Sequence, residues 1–262
     1  MLGTLNNAFA DMGAGLRLRR VWVALASEDI GDQHRRTALG PLWLLLNYLT
    51  FACAFIFLIH RGGAGYNYPA FVATGLFVWF YIMETVTASV SLFLREENFI
   101  KGTTLPLSVY VMRMFMQSVI RAAYALAGCL IILAFSGIGI SGMWLWSVLG
   151  IAVILLTVPA AIIVFAFLGA FFPDSQFLVS NLMRVGMFLT PVFWTYEGTS
   201  GIRHFFYHWN PFTYYLEVVR FPILWGEVPV VAFLITTAIG ICLWLVALLL
   251  LGGLRRQVVF VL

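Results

Sequence analysis

Residues 35–48 read RRTALGPLWLLLNY: two arginines, a Gly-Pro step, then an apolar run that continues almost unbroken to Ile59. Charge set so abruptly against hydrocarbon marks the end of a membrane-crossing segment. A second such boundary, GGLRR at 252–256, closes the last apolar run of the chain. Two basic pairs at the two ends of an oily sequence fix how it sits in a bilayer, because arginine and lysine are retained on the cytoplasmic side.

The composition agrees. Of 262 residues, 62% are hydrophobic and 10% charged, whereas soluble domains carry about a quarter charged residues. A water-soluble surface cannot be built from this inventory. Six runs are long enough to cross as helices, which takes roughly 20 residues: 39–59, 69–94, 107–135, 143–172, 176–195 and 229–251. They are continuously apolar rather than alternating, which argues against a closed barrel. The first run is too long for the core of a cleaved leader, so it is expected to be retained.

With the N-terminus inside, the cytoplasmic parts hold Arg17, Arg19, Arg20, Arg35, Arg36, Arg95, Lys101, Arg255 and Arg256, against Arg61, Arg203 and Arg220 outside. The expectation is an all-α integral membrane protein with both termini cytoplasmic. Residues 1–38 form a cytoplasmic segment and 39–262 a six-span domain. The net charge of +4 reads as topology and anionic headgroups, not nucleic-acid binding. Cys53, Cys129 and Cys242 fall within spans, so no disulfide framework is indicated.

Ahead of the first span, Leu18, Val21, Trp22 and Leu25 recur at helical spacing among arginines. Such a helix suits the membrane interface; a plain basic tail is the simpler alternative. Between spans two and three, REENFIKGTTLPLS (95–108) is the most charged stretch, yet Phe99 and Ile100 sit inside it. A short helix that docks on a soluble partner needs such an anchor with a charged rim, whereas a merely solvated turn does not. In FFPDSQF (171–177), Asp174 or Ser175 can cap the fifth span.

The segment 203–227, RHFFYHWNPFTYYLEVVRFPILWGE, is aromatic but carries Pro211 and Pro222. The prolines are expected to divide it into pieces too short to span and too oily for free loops. Interfacial or re-entrant helices follow, and backbone of that kind survives in a membrane only against protein or a water-filled cavity.

Glu84, Arg113, Arg121 and Arg184 fall within spans. Intramembrane charges are costly unless paired or hydrated. Arg113, Gln117 and Arg121, four apart, form one stripe, with Glu84 at about the depth of Gln117. A Glu84–arginine bridge between spans two and three is expected, with a direct substrate role as the alternative and Arg184 free to snorkel.

Catalytic motifs are missing. No G-x-x-x-x-G-K-[ST] surrounds Lys101, so ATP is not bound through a P-loop. There is no Gly-x-Ser-x-Gly elbow. His204 and His208 with nearby Glu197 lack a third clear ligand pattern, and an interfacial surface is the better reading than a metal site. Aromatic residues make up 16%. Tyr48, Phe51, Phe55, Phe188, Phe193 and Trp194 of spans one and five are candidates to line a channel, since aromatic faces receive a sliding substrate without demanding one sequence. For each alone, core filling is the plainer role.

Taken in order, the basic N-terminal helix, T-x-L-G-P-L-W at 37–43, ENFIKGTTLPLSVY at 97–110 and WNPFTYYLEVVRFPILWG at 209–226 resemble the permease subunit of type-2 ABC exporters. The likeness is to the branch that exports O-antigen, capsule or teichoic-acid polymers, and it extends over nearly the whole chain. It implies a homodimer in the bacterial inner membrane, driven by two separate ATPase subunits that bind ATP and Mg, with a lipid-linked polysaccharide as cargo. It also implies that Arg95, Glu96, Glu97, Asn98, Phe99, Ile100 and Lys101 couple to the ATPase. Trp209, Asn210, Pro211, Tyr214, Tyr215 and Arg220 would belong to an outer gate. The turn between spans four and five commonly reads F-F-R-D in that family. Pro173 replaces the arginine here, and Asp174 alone remains as a second ATPase contact. A permease for a small lipid or drug, and a membrane glycan-modifying enzyme, are the alternatives.

Overall fold

The computed structural model describes residues 2–59, 67–195 and 201–262. Arg61 and Glu197, and the side chain of Arg256, lie outside what is described. Twelve helices and no strands occur among the described residues, as expected of apolar runs that must satisfy their own backbone in lipid.

Two helices, α1 (Leu2–Arg17) and α2 (Arg19–Gln33), precede the apolar α3 (Leu42–Ile59) and α4 (Tyr68–Val90). Two short helices follow, α5 (Leu92–Arg95) and α6 (Glu97–Gly102), then the long α7 (Leu107–Phe135) and α8 (Trp144–Phe171). The chain ends with α9 (Ser175–Leu189), α10 (Ile202–Trp209), α11 (Pro211–Leu224) and α12 (Val230–Val261).

The core is built around α4. Asn67 caps its start by accepting from the Ala70 amide at 3.3 Å, with proline in the first turn, the usual pairing of an amide cap with an early proline. Helices α3, α7, α8, α9 and α11 surround it, and α12 packs along α8. Trp79, Phe71 and Leu76 of α4 are completely enclosed. Lipid is as apolar as these side chains, so close packing rather than expulsion from water holds such helices together. Gly169 of α8 meets the Val90 carbonyl where a Cβ would overlap it, which lets the two backbones touch.

Four described helices are long and apolar enough to cross a membrane: Tyr68–Val90, Leu107–Phe135, Trp144–Phe171 and Val230–Arg255. They correspond to the second, third, fourth and sixth expected spans. The third coincides with its expected range, and the second stops short at Ser91 before resuming as α5. The other two fall short. The first begins at Leu42 rather than 39, leaving a shorter apolar helix at Leu42–Leu58. The fifth, expected over 176–195, ends at Leu189 after 15 residues, about 22 Å of helix against a hydrocarbon core of about 30 Å. The cause is Pro191: Thr190 before it is extended (φ −88°, ψ 142°), as a residue preceding proline prefers.

The N-terminal pair is docked rather than trailing. Helix α1 lies on α7 and α12, and α2 lies on α7. The expected stripe is only partly right. Leu18 sits at the break between the two helices and Val21 faces outward, while Ala26 and Ile30 are the buried contacts of α2.

Candidate functional site

The segment around 95–101 is two short helices with Glu96 at their junction. Residues 99 and 100 are about 100° apart around a helix, so they cannot both face a partner. Phe99 is 60% exposed, whereas Ile100 turns into the core. Of the expected two-residue anchor, only Phe99 lies on the surface. Glu97 and Lys101 pair at 2.7 Å on the exposed side, beside Asn98. Glu96 does not belong to the rim. It is buried and accepts from Arg113 Nη1 at 3.1 Å, and Arg95 leans on it at 3.4 Å.

Arg113 does not pair with Glu84. Its guanidinium makes a two-pronged contact with Asp29 of α2: Nε donates to Oδ2 and Nη2 to Oδ1, both at 2.7 Å. Fork-to-fork bonds of this kind fix orientation as well as adding energy. Gln117 donates to the same carboxylate. Burial tends to raise the Asp29 pKa, but the hydrogen bonds and charge of Arg113 and the Gln117 amide outweigh it and hold the carboxyl below its ordinary value. Arg113 thus joins α2, α7 and the α5–α6 junction.

A second joint ties α1 to the bundle. The α7 N-terminus begins at Pro106, which provides no side-chain cap. Asp11 supplies one from another helix: Oδ1 accepts from the Ser108 amide at 3.0 Å, while Ser108 Oγ donates to the Asp11 carbonyl at 2.7 Å. Negative charge suits that end of a helix. Arg255 of α12 reaches the other carboxylate oxygen at 3.3 Å. Neither Asp11 nor Asp29 stands out in the sequence. The only sign is that they are acids in a segment whose arginines attract the eye.

Glu84 meets Arg121 at 4.0 Å, at the limit of an ion pair, and its side chain is 47% exposed. The expected bridge between spans two and three is thus made with Arg121, as a long and partly exposed pair. Both residues face an open cavity of about 510 Å³ between α4, α7 and α9, which Arg95 and Arg184 also line.

The aromatic candidates divide. Tyr48 is buried and donates to the Ala73 carbonyl at 2.7 Å, fastening α3 to α4. Phe193 is buried and stacks on the half-buried Phe55 at 4.1 Å. Both Tyr48 and Phe193 are core residues rather than lining. Phe51 and Phe188 are 46% and 62% exposed. Trp194 is half-buried and donates to the Phe188 carbonyl at 3.0 Å.

Helix α11 packs along α4, α8 and α12, and α10 precedes it with most of its large side chains exposed. Phe212 meets Trp79, the midpoint of α4, edge-on at 5.5 Å, whereas Trp225 meets Phe71 near the start of α4 at 6.3 Å. The bend at Asn210 therefore lies about 12 Å deeper along α4 than the end of α11. Asn210 caps α11 through the Phe212 amide at 3.0 Å and donates to Thr190 Oγ1 at 2.8 Å, with Pro211 opening the helix. Trp209 is 76% exposed, Tyr214 donates to the His208 carbonyl at 2.8 Å, and Tyr215 is buried. Pro222 does not divide the segment. It sits inside the last turn of α11, where the missing hydrogen bond frees the Val218 carbonyl to lie against Gly150 of α8.

Arg220, expected at an outer surface, is buried. Its Nη1 donates to the Pro191 carbonyl at 2.7 Å and Nη2 to Val192 at 3.2 Å, with the guanidinium 3.7 Å over the Phe71 ring. Gly75 makes the space, because a Cβ there would occupy the guanidinium position. The break after α9 thus supplies the carbonyls that hold Arg220.

At the other end, the α8–α9 turn leaves Asp174 exposed. Phe93 of α5 meets Phe167 of α8 edge-on at 5.4 Å, which sets that turn on the same end as α6. Asp174 occupies the capping position of α9 without making a side-chain cap. The His204 and His208 rings lie 4.4 Å apart, tilted by 58°. Among the described residues no group of three or more His, Cys, Asp and Glu side chains is arranged to hold a metal ion.

Residues 20–224 match the ABC-2 type transporter family. Two proteins of Klebsiella pneumoniae, each an O-antigen export system permease protein RfbA, are 29% identical to the chain over 174 residues. That match covers 65% of this chain and 67% of each of theirs.

Proposed function

Because the chain belongs to the ABC-2 type transporter family, we propose that it is the permease subunit of an exporter that moves a lipid-linked polysaccharide of O-antigen or capsule type outward across the bacterial inner membrane. The similarity to the two Klebsiella O-antigen export permeases carries this reading. A homodimer forms the pathway, and two separate ATPase subunits bind ATP and Mg.

In this reading α3 and α9 complete six crossings beside the four long helices, both termini are cytoplasmic, and α10–α11 is a re-entrant hairpin over the outer mouth. The depth of the Asn210 bend along α4 supports the hairpin. The exposed faces of α3 and α9, including Phe51 and Phe188, supply the lining and the contact between copies. Arg220 holds the hairpin rather than touching cargo. The ATPase sits on α6, with Phe99 as the apolar anchor, Glu97, Asn98 and Lys101 around it, and Asp174 as a second contact.

Phe99→Asp tests the coupling. Phe99 is exposed, so the permease should insert and accumulate normally. An unpaired carboxylate in the contact should abolish both co-purification of the ATPase and surface polymer, a cost of several kcal/mol at an interface anchor. ATPase association and export at normal levels would move the contact away from α6. Export by membranes that carry the chain and its ATPase, with no added glycosyltransferase, separates transport from glycan modification.

A further inference from the structure

We infer that the cavity between α4, α7 and α9 is a binding site for a phosphate-type oxyanion, held by Arg121 and Arg184 with Arg95 at its rim. The inference deepens the exporter reading and rests on it for which anion is carried.

Arg95, Arg121 and Arg184 come from three helices and line one open cavity of about 510 Å³. Glu84 is the carboxylate among its described lining residues. It lies 4.0 Å from Arg121, too far for the short charge-assisted bonds a guanidinium makes when well paired. Arg95 leans on Glu96, but Glu96 already answers Arg113. Among the described residues, Arg95, Arg113 and Arg121 pair with Glu96, Asp29 and Glu84, and Arg184 pairs with none.

Convergent like charges within an apolar protein are unfavourable unless something anionic relieves them. Arg184 makes the point sharply. Its helix exposes Leu182, Val185 and Phe188, a surface suited to lipid or another apolar face, and yet it projects a guanidinium into the cavity.

The chemistry favours phosphate. Guanidinium forks match the oxygens of a phosphate group, which carries more charge than a carboxylate and can be shared by several arginines. The cavity is open rather than sealed, so a phosphate can enter with its organic substituent still outside. Two sources share this chemistry, a lipid headgroup and a free anion.

The test uses the full-length chain without its ATPase, whose nucleotide site would confuse the result, in nanodiscs of phosphatidylcholine. Affinity for geranyl diphosphate is measured by displacement of a fluorescent analogue, with geraniol and inorganic pyrophosphate as competitors. Geranyl diphosphate should bind and geraniol should not. Arg184→Gln, which has no ion pair to lose, should keep the wild-type melting temperature and weaken binding about tenfold, the loss of one strong charge-assisted contact. Glu84→Gln should tighten binding, because it removes the opposing charge. Competition by inorganic pyrophosphate identifies a free-anion site; binding of geranyl diphosphate alone identifies a headgroup site. Equal binding by geraniol, or unchanged affinity in both variants, overturns the proposal. If the chain exports polymer while the Arg184 variant binds as wild type, the site is wrong and the exporter reading stands. If the site binds as described but the chain supports no export, the reverse holds.

Discussion

Helices α2 and α11 both lie outside the set that can cross a membrane, and they are held by opposite means. Helix α2 is fastened by one carboxylate to one guanidinium in a partly exposed joint, Asp29 and Arg113 being 25% and 18% exposed in their side chains. Helix α11 is fastened by a guanidinium to backbone carbonyls in a closed interior, with Arg220 4% exposed. The first joint depends on ionisation and is reachable by ions and water. The hydrogen bonds of the second go to backbone carbonyls, which do not titrate, in an interior closed to solvent. An element held by the first kind of joint can be released by a modest change in its surroundings. One held by the second stays with the core until the core itself opens.

The largest effect should come from attacking the second joint through its space rather than its charge. Gly75→Val places a side chain where the Arg220 guanidinium sits. The arginine loses the Pro191 and Val192 carbonyls together, and the overpacked site strains its neighbours. The expected cost is about 4 kcal/mol, seen as near-complete loss of monodisperse protein after solubilisation. Normal yield and melting temperature would mean that α11 is held by its apolar contacts and not by Arg220.

Arg113→Met attacks the first joint and strands Asp29 and Glu96 without their shared cation. Removing one partner of a buried pair costs about 3–5 kcal/mol, and partial exposure here lowers the expectation to about 2 kcal/mol. Adding Asp29→Leu should recover part of the loss, as measured by melting of the double variant against each single one. The pH dependence follows from the same contact. The folded pKa of Asp29 lies below its ordinary value, so its stabilisation is fully present above about pH 4 and is lost as the pH falls through the folded value. Between pH 5 and 8, α2 should remain docked. A fluorophore on Gln33 that reports release near pH 6 would show that another group controls the joint.

What the sequence discloses divides along the same line. Apolar length places α4, α7, α8 and α12, because a continuous hydrophobic run in lipid has few alternatives to a helix. Proline signals are less dependable: Pro191 ends the path of α9, whereas Pro222 is absorbed in the last turn of α11. The difference arises from what surrounds each residue, and local pattern does not record it. Charges are hardest of all. Arg113 was visible as an intramembrane charge, but its partner is 84 residues away on a helix that looked merely basic. Glu84 matched Gln117 in depth, and depth says nothing about which way a side chain turns. Phe99 and Ile100 were recognisable as an odd apolar pair, yet only their placement around α6 decides which one faces outward.

The smallest effect belongs to the pair that the sequence made most prominent. Were Glu84 buried against Arg121, Glu84→Gln would strand an arginine and cost several kcal/mol. The observed separation of 4.0 Å and the 47% exposure of the Glu84 side chain place it among solvated pairs, which contribute about 0–1 kcal/mol. Arg121 also keeps access to the cavity when the carboxylate is neutralised, so its charge is not trapped. Glu84→Gln should therefore melt within about 4 °C of the wild type, taking a shift of a few degrees per kcal/mol as the scale. A loss comparable to that of Arg113→Met would mean that the cavity closes around Glu84 in the assembled protein. The two ionic pairs of α7 would then be equivalent, and the contrast between a structural Arg113 and an available Arg121 would disappear.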